Sequence, residues 1–168
     1  REHVPEVERV IRDIKNRARA VLSVLPYDYY HRQIIIYLVY FVVRMINAVP
    51  SKVGISKILS PSEIVQGRKI DYRVHCRFPF GAYVEASSDN VITNTMEPRT
   101  EPCIALGTSG NIQGSVNCLS LRSGRVLVRR SLKELPFPPS ILKMVDLWGK
   151  IPRSCEYQRS LVVLDRHK

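Results

Sequence analysis

Residues 4–25, VPEVERVIRDIKNRARAVLSVL, decide the first element of the fold. Apolar side chains recur there at three- and four-residue steps, which predicts an amphipathic helix that ends before Pro26. A second helix is predicted over residues 31–48, where the side chains are apolar almost all round, as in a helix packed inside a larger fold. Ser60-Pro61-Ser62-Glu63 is a capping box with proline at the first helical position, so a short third helix is expected over residues 61–66.

The pattern changes to that of short strands from Asp71 onward. Strand-like pieces are expected at about residues 72–85, 102–106, 115–121 and 125–131, with Pro79 and Gly81 breaking the first and a tight Ser123-Gly124 turn between the last two. Residues 86–101 and 107–114 are expected to be loops, 135–139 a linker, 140–148 a short helix and 149–168 a basic tail. The sequence thus predicts an α+β chain with a helical segment at residues 1–69, a basic β-rich segment at 70–139 that forms a small barrel or meander, and a helix and tail at 140–168.

Charge is the main functional signal in the composition. The 168 residues include 26 Lys and Arg against 15 Asp and Glu, a formal net charge of +11 that attracts polyanions such as nucleic acids or anionic lipid. Part of the excess is a cluster with no acidic residue between its members, namely Arg122, Arg125, Arg129, Arg130 and Lys133. In a strand, Arg125 and Arg129 share one face while Val126 and Val128 share the other, which predicts a cationic surface over an apolar one.

Other kinds of site receive less support. The four cysteines show no C-x-x-C motif and the four histidines no zinc spacing, so no metal site is readable, and such scattered thiols suit a reducing compartment, nuclear or cytoplasmic. The uncharged residues 34–43 are too few for the roughly 20 that cross a bilayer, which favours a buried helix. Tyr72, Tyr83 and Tyr157 could stack on bases, although packing is the favoured role.

A polar stripe runs along the first predicted helix. At about 100° per residue, Glu8, Arg12, Lys15 and Arg19 fall on one narrow face beside the apolar face. Such a carboxylate could share a divalent metal with other carboxylates while the cations hold a phosphodiester. The alternative is an ordinary surface pair between Glu8 and Arg12, which contributes only about 0.3–0.5 kcal/mol.

Several short stretches follow one another in a distinctive order. They are Glu8-Arg9, Ala18-Arg19-Ala20-Val21-Leu22, Leu25-Pro26, Asn47-Ala48-Val49-Pro50-Ser51-Lys52, Ser60-Pro61-Ser62-Glu63, Gly67-Arg68-Lys69, Phe80-Gly81-Ala82-Tyr83-Val84 and Arg122-Ser123-Gly124-Arg125-Val126-Leu127-Val128-Arg129-Arg130. This series, over about residues 4–139, resembles the integrase region of copia-like retrotransposon polyproteins. The resemblance implies the helical C-terminal part of an RNase H-like catalytic core at residues 1–69, followed by a small SH3-like β-barrel or meander that grips DNA; residues 147–168 match nothing in that family.

The resemblance also implies a function, DNA integration by metal-dependent strand transfer, with an Asp, Asp, Glu triad and two Mg²⁺ or Mn²⁺ ions. Glu8 matches the Glu of the triad, as a catalytic residue and metal ligand, and Arg12, Lys15 and Arg19 would hold the DNA end of the element. The two Asp residues of the family lie upstream, and only seven residues precede Glu8, so the chain is expected to be a polyprotein fragment that binds DNA but no metal tightly, and is inactive alone. The implied partners are element ends and target duplex, together with the N-terminal part of the core or a second copy, and no membrane.

Two other functions remain open. One is a non-catalytic basic module that binds nucleic acid or chromatin, in which residues 70–139 would fold and bind alone, whereas the integrase interpretation requires the helical part to find an RNase H-like sheet. The other is a protein of the membrane surface, which co-sedimentation with anionic vesicles would reveal.

Overall fold

The structure is a computed structural model that describes residues 4–51, 54–87, 96 and 98–150. In chain order its elements are α1 (Pro5–Leu22), α2 (Arg32–Asn47), α3 (Pro61–Gln66), α4 (Tyr72–His75), β1 (Tyr83–Ser87), β2 (Thr100–Thr108), β3 (Val116–Ser120), β4 (Val126–Arg129), β5 (Leu132–Glu134) and α5 (Pro139–Lys150). The chain therefore has the mixed α+β architecture that its sequence predicts.

The helices expected from local sequence signals are confirmed. Helices α1, α2 and α5 occupy the predicted stretches within a few residues, and α3 has the predicted bounds. The capping box is present, since Ser60 Oγ accepts from the backbone N–H of Glu63 at 3.2 Å and Glu63 Oε2 accepts from the backbone N–H of Ser60 at 2.7 Å. None of the described helices has both the length and the apolar character that a membrane crossing requires.

The five strands form one antiparallel sheet in the order β4-β3-β2-β1-β5. Its two edge strands, β4 and β5, are joined by Arg130 and Ser131 alone. In a flat sheet the two edges would lie about 19 Å apart, whereas the three backbone steps from Arg129 to Leu132 span at most about 11 Å. The sheet must therefore curl until its edges approach each other.

Small side chains fill the inner face of the curled sheet. The buried members of this inner core are Ala82, Val84, Ala86, Cys103, Ala105, Val116 and Cys118, with Phe78 and Leu132 packed against them. Small residues allow the facing strands to come close together. Burial also raises the pKa of the Cys103 and Cys118 thiols to about 12, so both remain protonated and act as small apolar groups.

The helices cover the outer face of the same sheet. This outer core joins Tyr83, Ile104, Leu106, Leu119 and Leu121 of the sheet region to Ile34, Leu38 and Val42 of α2 and Val145 of α5. Helix α1 adds partly buried side chains from Ile14 onward. All three predicted segments thus contribute to one core, and their division at residues 69 and 139 stays a prediction. The side of α2 that carries Ile34, Leu38 and Val42 is buried, whereas Ile35, Val39 and Tyr40 on its other side are 38–66% exposed.

The predicted strand at residues 72–85 is wrong at its start. Residues 72–75 form α4, because the Asp71 carboxylate accepts the backbone N–H of Arg73 at 2.9 Å and caps a helical turn. Strand β1 begins only at Tyr83. Strand β5 was not predicted; Val84 of β1 pairs with Glu134, which extends the sheet beyond the expected strand at 125–131.

The predicted loops are shorter than expected at their ends. Residues 86–87 belong to β1, and residues 100–101 and 107–108 belong to β2. The rest of the predicted 107–114 loop lies between strands, as expected. Residues 88–95 and 97 of the predicted 86–101 loop, and residues 151–168 of the predicted tail, lie outside the described residues.

Candidate nucleic-acid interface

The basic residues of α1 lie on an open surface of the helix. Arg12, Lys15 and Arg19 are all exposed, and the Arg19 guanidinium donates to Asn16 Oδ1 at 3.3 Å within the same helix. The helix docks on the outer core through its C-terminal half, while the Val7 side chain nearer its start is 53% exposed. The three cations, which we call the α1 stripe, are therefore accessible to a large polyanion.

Glu8 lies on the exposed first turns of α1. Among the residues that the structure describes, no group of three or more Asp, Glu, His or Cys side chains is positioned to hold a metal ion. Mg²⁺ requires a near-octahedral shell of oxygen ligands, which one surface carboxylate does not supply. The described residues thus do not fit the two-metal centre that the resemblance implies, and the roles predicted for Glu8 stay predictions.

The second predicted group follows the edges of the curled sheet, and we call it the sheet-edge cluster. Its members are Arg122 and Arg125 in the β3–β4 turn, Arg129 at the end of β4, Arg130 in the β4–β5 connection and Lys133 in β5. Four of the five are exposed and Arg129 is half-buried. The curl brings the two edges of the sheet towards each other along a seam, and the cluster includes residues of both edge strands and of the connections next to β4.

The alternation predicted for β4 agrees with its pairing. Val126 pairs with Leu119 of the outer core, and Arg129 pairs with Val116 of the inner core, so Val126 and Arg129 point to opposite faces. The apolar face is only partly covered, because Val128 is exposed. Arg129 thus lies on the inner face of the sheet, which the helices do not cover, and it is half-buried there.

Lys133 has an acidic residue directly opposite. It pairs with Glu85 of β1, whose carboxylate also accepts from the Thr100 hydroxyl at 3.1 Å. Opposite charges at paired positions attract by roughly 0.2–1 kcal/mol. The carboxylate offsets part of the Lys133 charge, so we expect this residue to contribute less to polyanion binding than the neighbouring arginines.

Arg77 lies beside the sheet-edge cluster, and the sequence interpretation missed it. A groove of about 520 Å³ is lined by Arg77 and Arg130 together with Gln113, Ser115, Val128 and Ser131. The Arg77 guanidinium carbon lies 5.1 Å from the centre of the Phe78 ring. Two guanidinium groups beside amide and hydroxyl donors suit a phosphate group. The seam therefore contains a pocket in which one backbone phosphate could be held.

The predicted site residues are brought together as two patches rather than one. The α1 stripe and the sheet-edge cluster lie on different elements, and within the described ranges no hydrogen bond or ion pair joins them.

Of the three tyrosines considered for stacking, Tyr83 is buried in the outer core, Tyr72 donates its hydroxyl to the carbonyl of Ala48 at 3.1 Å, and Tyr157 lies outside the described residues. Packing is thus the role of Tyr83.

The interface is defined by charge and geometry alone. The eight cations share positive charge, and all except the half-buried Arg129 are exposed. Comparison of the chain with family models, curated proteins and solved structures found no match.

Proposed function

We propose that this chain binds duplex DNA through the α1 stripe and the sheet-edge cluster, as the DNA-handling part of a copia-like retrotransposon integrase. The observation that carries the proposal is that seven of these eight cations are exposed and the eighth is half-buried, while apolar side chains of the same elements face the core. Each cation that neutralises a phosphate releases a condensed counterion, so such a surface binds DNA without reading its sequence.

The strand order supports the SH3-like part of the proposal. Strands β1 to β4 form a meander, and β5 returns to pair with β1 after only two connecting residues. A small barrel of five short antiparallel strands has this connectivity when its sheet closes on itself. The inner core of small side chains is also consistent with a tight barrel. The RNase H-like part of the proposal rests on the sequence resemblance, and strand transfer would require the upstream Asp residues and the metal ions of a complete enzyme.

A non-catalytic nucleic-acid-binding module is the second candidate, and one observation favours it. Helices α1, α2 and α5 pack on the outer face of this chain's own sheet, so Ile34, Leu38 and Val42 are buried without a second sheet. Both candidates predict duplex binding through the same cations. They differ in strand transfer. The integrase candidate predicts that a chain extended upstream performs it in a manner that depends on Glu8, and the second candidate predicts none.

Replacing Arg12, Lys15 and Arg19 together by Ala should weaken duplex binding and reduce its salt dependence. If each cation neutralises one phosphate, the slope of log affinity against log salt should become shallower by up to about three units. Fluorescence anisotropy of a labelled duplex at several salt concentrations measures this slope. Alanine is the best helix former, so we expect α1 to remain intact, which circular dichroism checks.

A double replacement of Arg9 and Arg17 by Ala is the matched control for the α1 stripe. Both residues are exposed on the same helix, and they lie about 90° (Arg9) and about 170° (Arg17) around the helix axis from the centre of the stripe. The control should leave the slope nearly unchanged. An unchanged slope in the triple variant would remove the α1 stripe from the DNA-binding surface.

A further inference from the structure

A second groove lies on another part of the molecule, and the proposed duplex interface does not use it. It measures about 610 Å³ and runs between the C-terminal half of α2, residues 62–75 and the β2–β3 connection. No member of the α1 stripe or the sheet-edge cluster lines it. Its walls combine aromatic rings, cations and amide groups, whereas the lining described for the sheet-edge groove contains no aromatic side chain.

The α2 wall presents an aromatic ring to the open groove. Tyr40 is 66% exposed, and its ring centre lies 6.0 Å from that of Tyr37, edge to face at 71°. Phe41 also lines the groove, and it packs against Phe80 with 5.2 Å between ring centres. Because 66% of Tyr40 is exposed, much of this residue is accessible to a planar ligand that could stack on its ring.

Three cationic side chains line the groove together with the aromatic rings. Arg44 projects from α2 and donates to the carbonyl oxygens of Thr108 and, at 3.2 Å, Ser109, and burial lowers its pKa from the ordinary value. The guanidinium has five N–H groups, so these two bonds leave others for a ligand. Arg68 and Lys69, which belong to the segment between α3 and α4, also line the groove and are exposed. The groove is thus suited to an anion.

The groove also contains a carboxylate, that of Asp71, which is already engaged. Its Oδ1 accepts the backbone N–H of Arg73 at 2.9 Å as the cap of α4. With Asp71 as the acidic lining residue against Arg44, Arg68 and Lys69, the formal charge of the lining is positive.

Hydrogen bonds fix the shape of the groove before any ligand binds. The His75 ring nitrogens lie 2.9 Å from the carbonyl oxygen of Asp71 and 3.1 Å from that of Asn111, which ties α4 to the β2–β3 connection. On the other side, Arg44 ties α2 to the end of β2. Because the walls are already ordered, little of the free energy of binding is lost in ordering them.

We propose that this groove binds a single unpaired nucleotide, with the base stacked on Tyr40 and the phosphate held by Arg68 and Lys69. Its volume lies within the range of about 300–1,000 Å³ that is typical of small-ligand sites. A base within a duplex is stacked and paired, so the ligand is either a free mononucleotide or an unpaired nucleotide of a single strand. This site does not depend on duplex binding at the sheet edge.

Titration of the intact chain with adenosine 5′-monophosphate, by isothermal calorimetry, tests the proposal. Adenosine and inorganic phosphate, titrated separately, should each bind more weakly than the nucleotide. Tyr40→Ala should lower the affinity for the nucleotide roughly five- to a hundred-fold, the loss expected for one base–aromatic stack. Arg68→Gln with Lys69→Gln should lower it at least ten-fold and remove the preference for the nucleotide over adenosine.

Matched controls separate the groove from general surface effects. Tyr29→Ala removes another exposed tyrosine, and Arg32→Gln with Lys143→Gln removes two exposed cations, all outside the groove. These controls, and a variant lacking the sheet-edge cations, should keep the wild-type affinity for the nucleotide. A short oligodeoxyadenylate that binds more tightly than the nucleotide, in a manner dependent on Tyr40, would identify a single strand as the source; equal affinity would identify a free nucleotide.

Three results would overturn the proposal. They are an absence of binding for both nucleotide and oligonucleotide, wild-type affinity in the Tyr40→Ala and Arg68→Gln/Lys69→Gln variants, and loss of nucleotide binding in the sheet-edge variant. The last result would assign the nucleotide to the sheet edge. Because the groove shares no residue with the proposed duplex interface, a chain that failed to bind duplex DNA would still be expected to bind the nucleotide.

Discussion

Duplex binding should be nearly lost at about 200 mM salt when the five residues of the sheet-edge cluster, Arg122, Arg125, Arg129, Arg130 and Lys133, are replaced together by Gln. Five phosphate contacts give a log–log salt slope of about −4.5, which corresponds to a roughly 500-fold fall in affinity between about 50 and 200 mM. The variant lacks those contacts, so its log–log salt slope should be shallower than that of the unaltered chain by up to about 4.5 units. Anisotropy titrations of a labelled duplex measure both quantities.

A control with the same net charge distinguishes the cluster from charge in general. Five other exposed cations, Arg9, Arg32, Lys57, Arg73 and Lys143, are replaced by Gln in the control chain. Both variants lose five positive charges, and only the cluster variant should lose most of the slope. Equal losses in the two variants would mean that binding follows net charge, and the sheet edge would not be the interface.

Gly81→Ala should destabilise the folded chain by about 2–5 kcal/mol. Gly81 has φ +83°, a left-handed conformation whose penalty for other residues is about 1–2 kcal/mol. An added Cβ would also lie 2.4 Å from Cδ2 of Leu25, and such overpacking costs about 1–3 kcal/mol more. The backbone has little freedom to shift, because Gly81 donates its N–H to Ala105 at 2.7 Å and accepts from the Tyr27 hydroxyl at 2.6 Å. Urea unfolding followed by circular dichroism measures the change.

Gly124→Ala provides the matched control for the Gly81 contact. Gly124 also has positive φ, +67°, but an added Cβ would meet no atom within 4 Å. We therefore expect Gly124→Ala to lower the free energy of unfolding only by the penalty of the left-handed backbone, about 1–2 kcal/mol. Leu25 follows α1 and Gly81 precedes β1, so the difference between the two variants reports on packing between the helices and the sheet. Equal losses would contradict that packing.

Local signals in the sequence were sufficient for most helices. The Ser60 capping box and Gly67, which is left-handed as a helix terminator should be, set the bounds of α3 without help from the rest of the chain. The same approach failed at residues 72–75. Tyr72 and Val74 alternate with polar residues as in a strand, but the Asp71 cap and the contact of His75 with Asn111, 36 residues away, stabilise a helical turn instead.

Features that depend on the curl of the sheet could not be predicted from sequence. Strand β5 has only three residues and no periodicity of its own, and it exists because β1 offers a free edge. Arg77 lies far from the sheet-edge cluster in the chain, and only the fold places it in the same groove as Arg130. Similarly, Tyr40 belongs to a helix expected to be buried, and its exposure depends on which side of α2 the sheet covers.

The salt dependence of duplex binding by the unaltered chain tests the two-patch interface most directly. With all eight cations of the α1 stripe and the sheet-edge cluster on phosphates, the log–log slope should be near −7, and affinity should fall by about four orders of magnitude between about 50 and 200 mM salt. A slope no steeper than about −4.5, which the sheet-edge cluster alone would give, or an absence of binding at about 50 mM, would contradict the proposal.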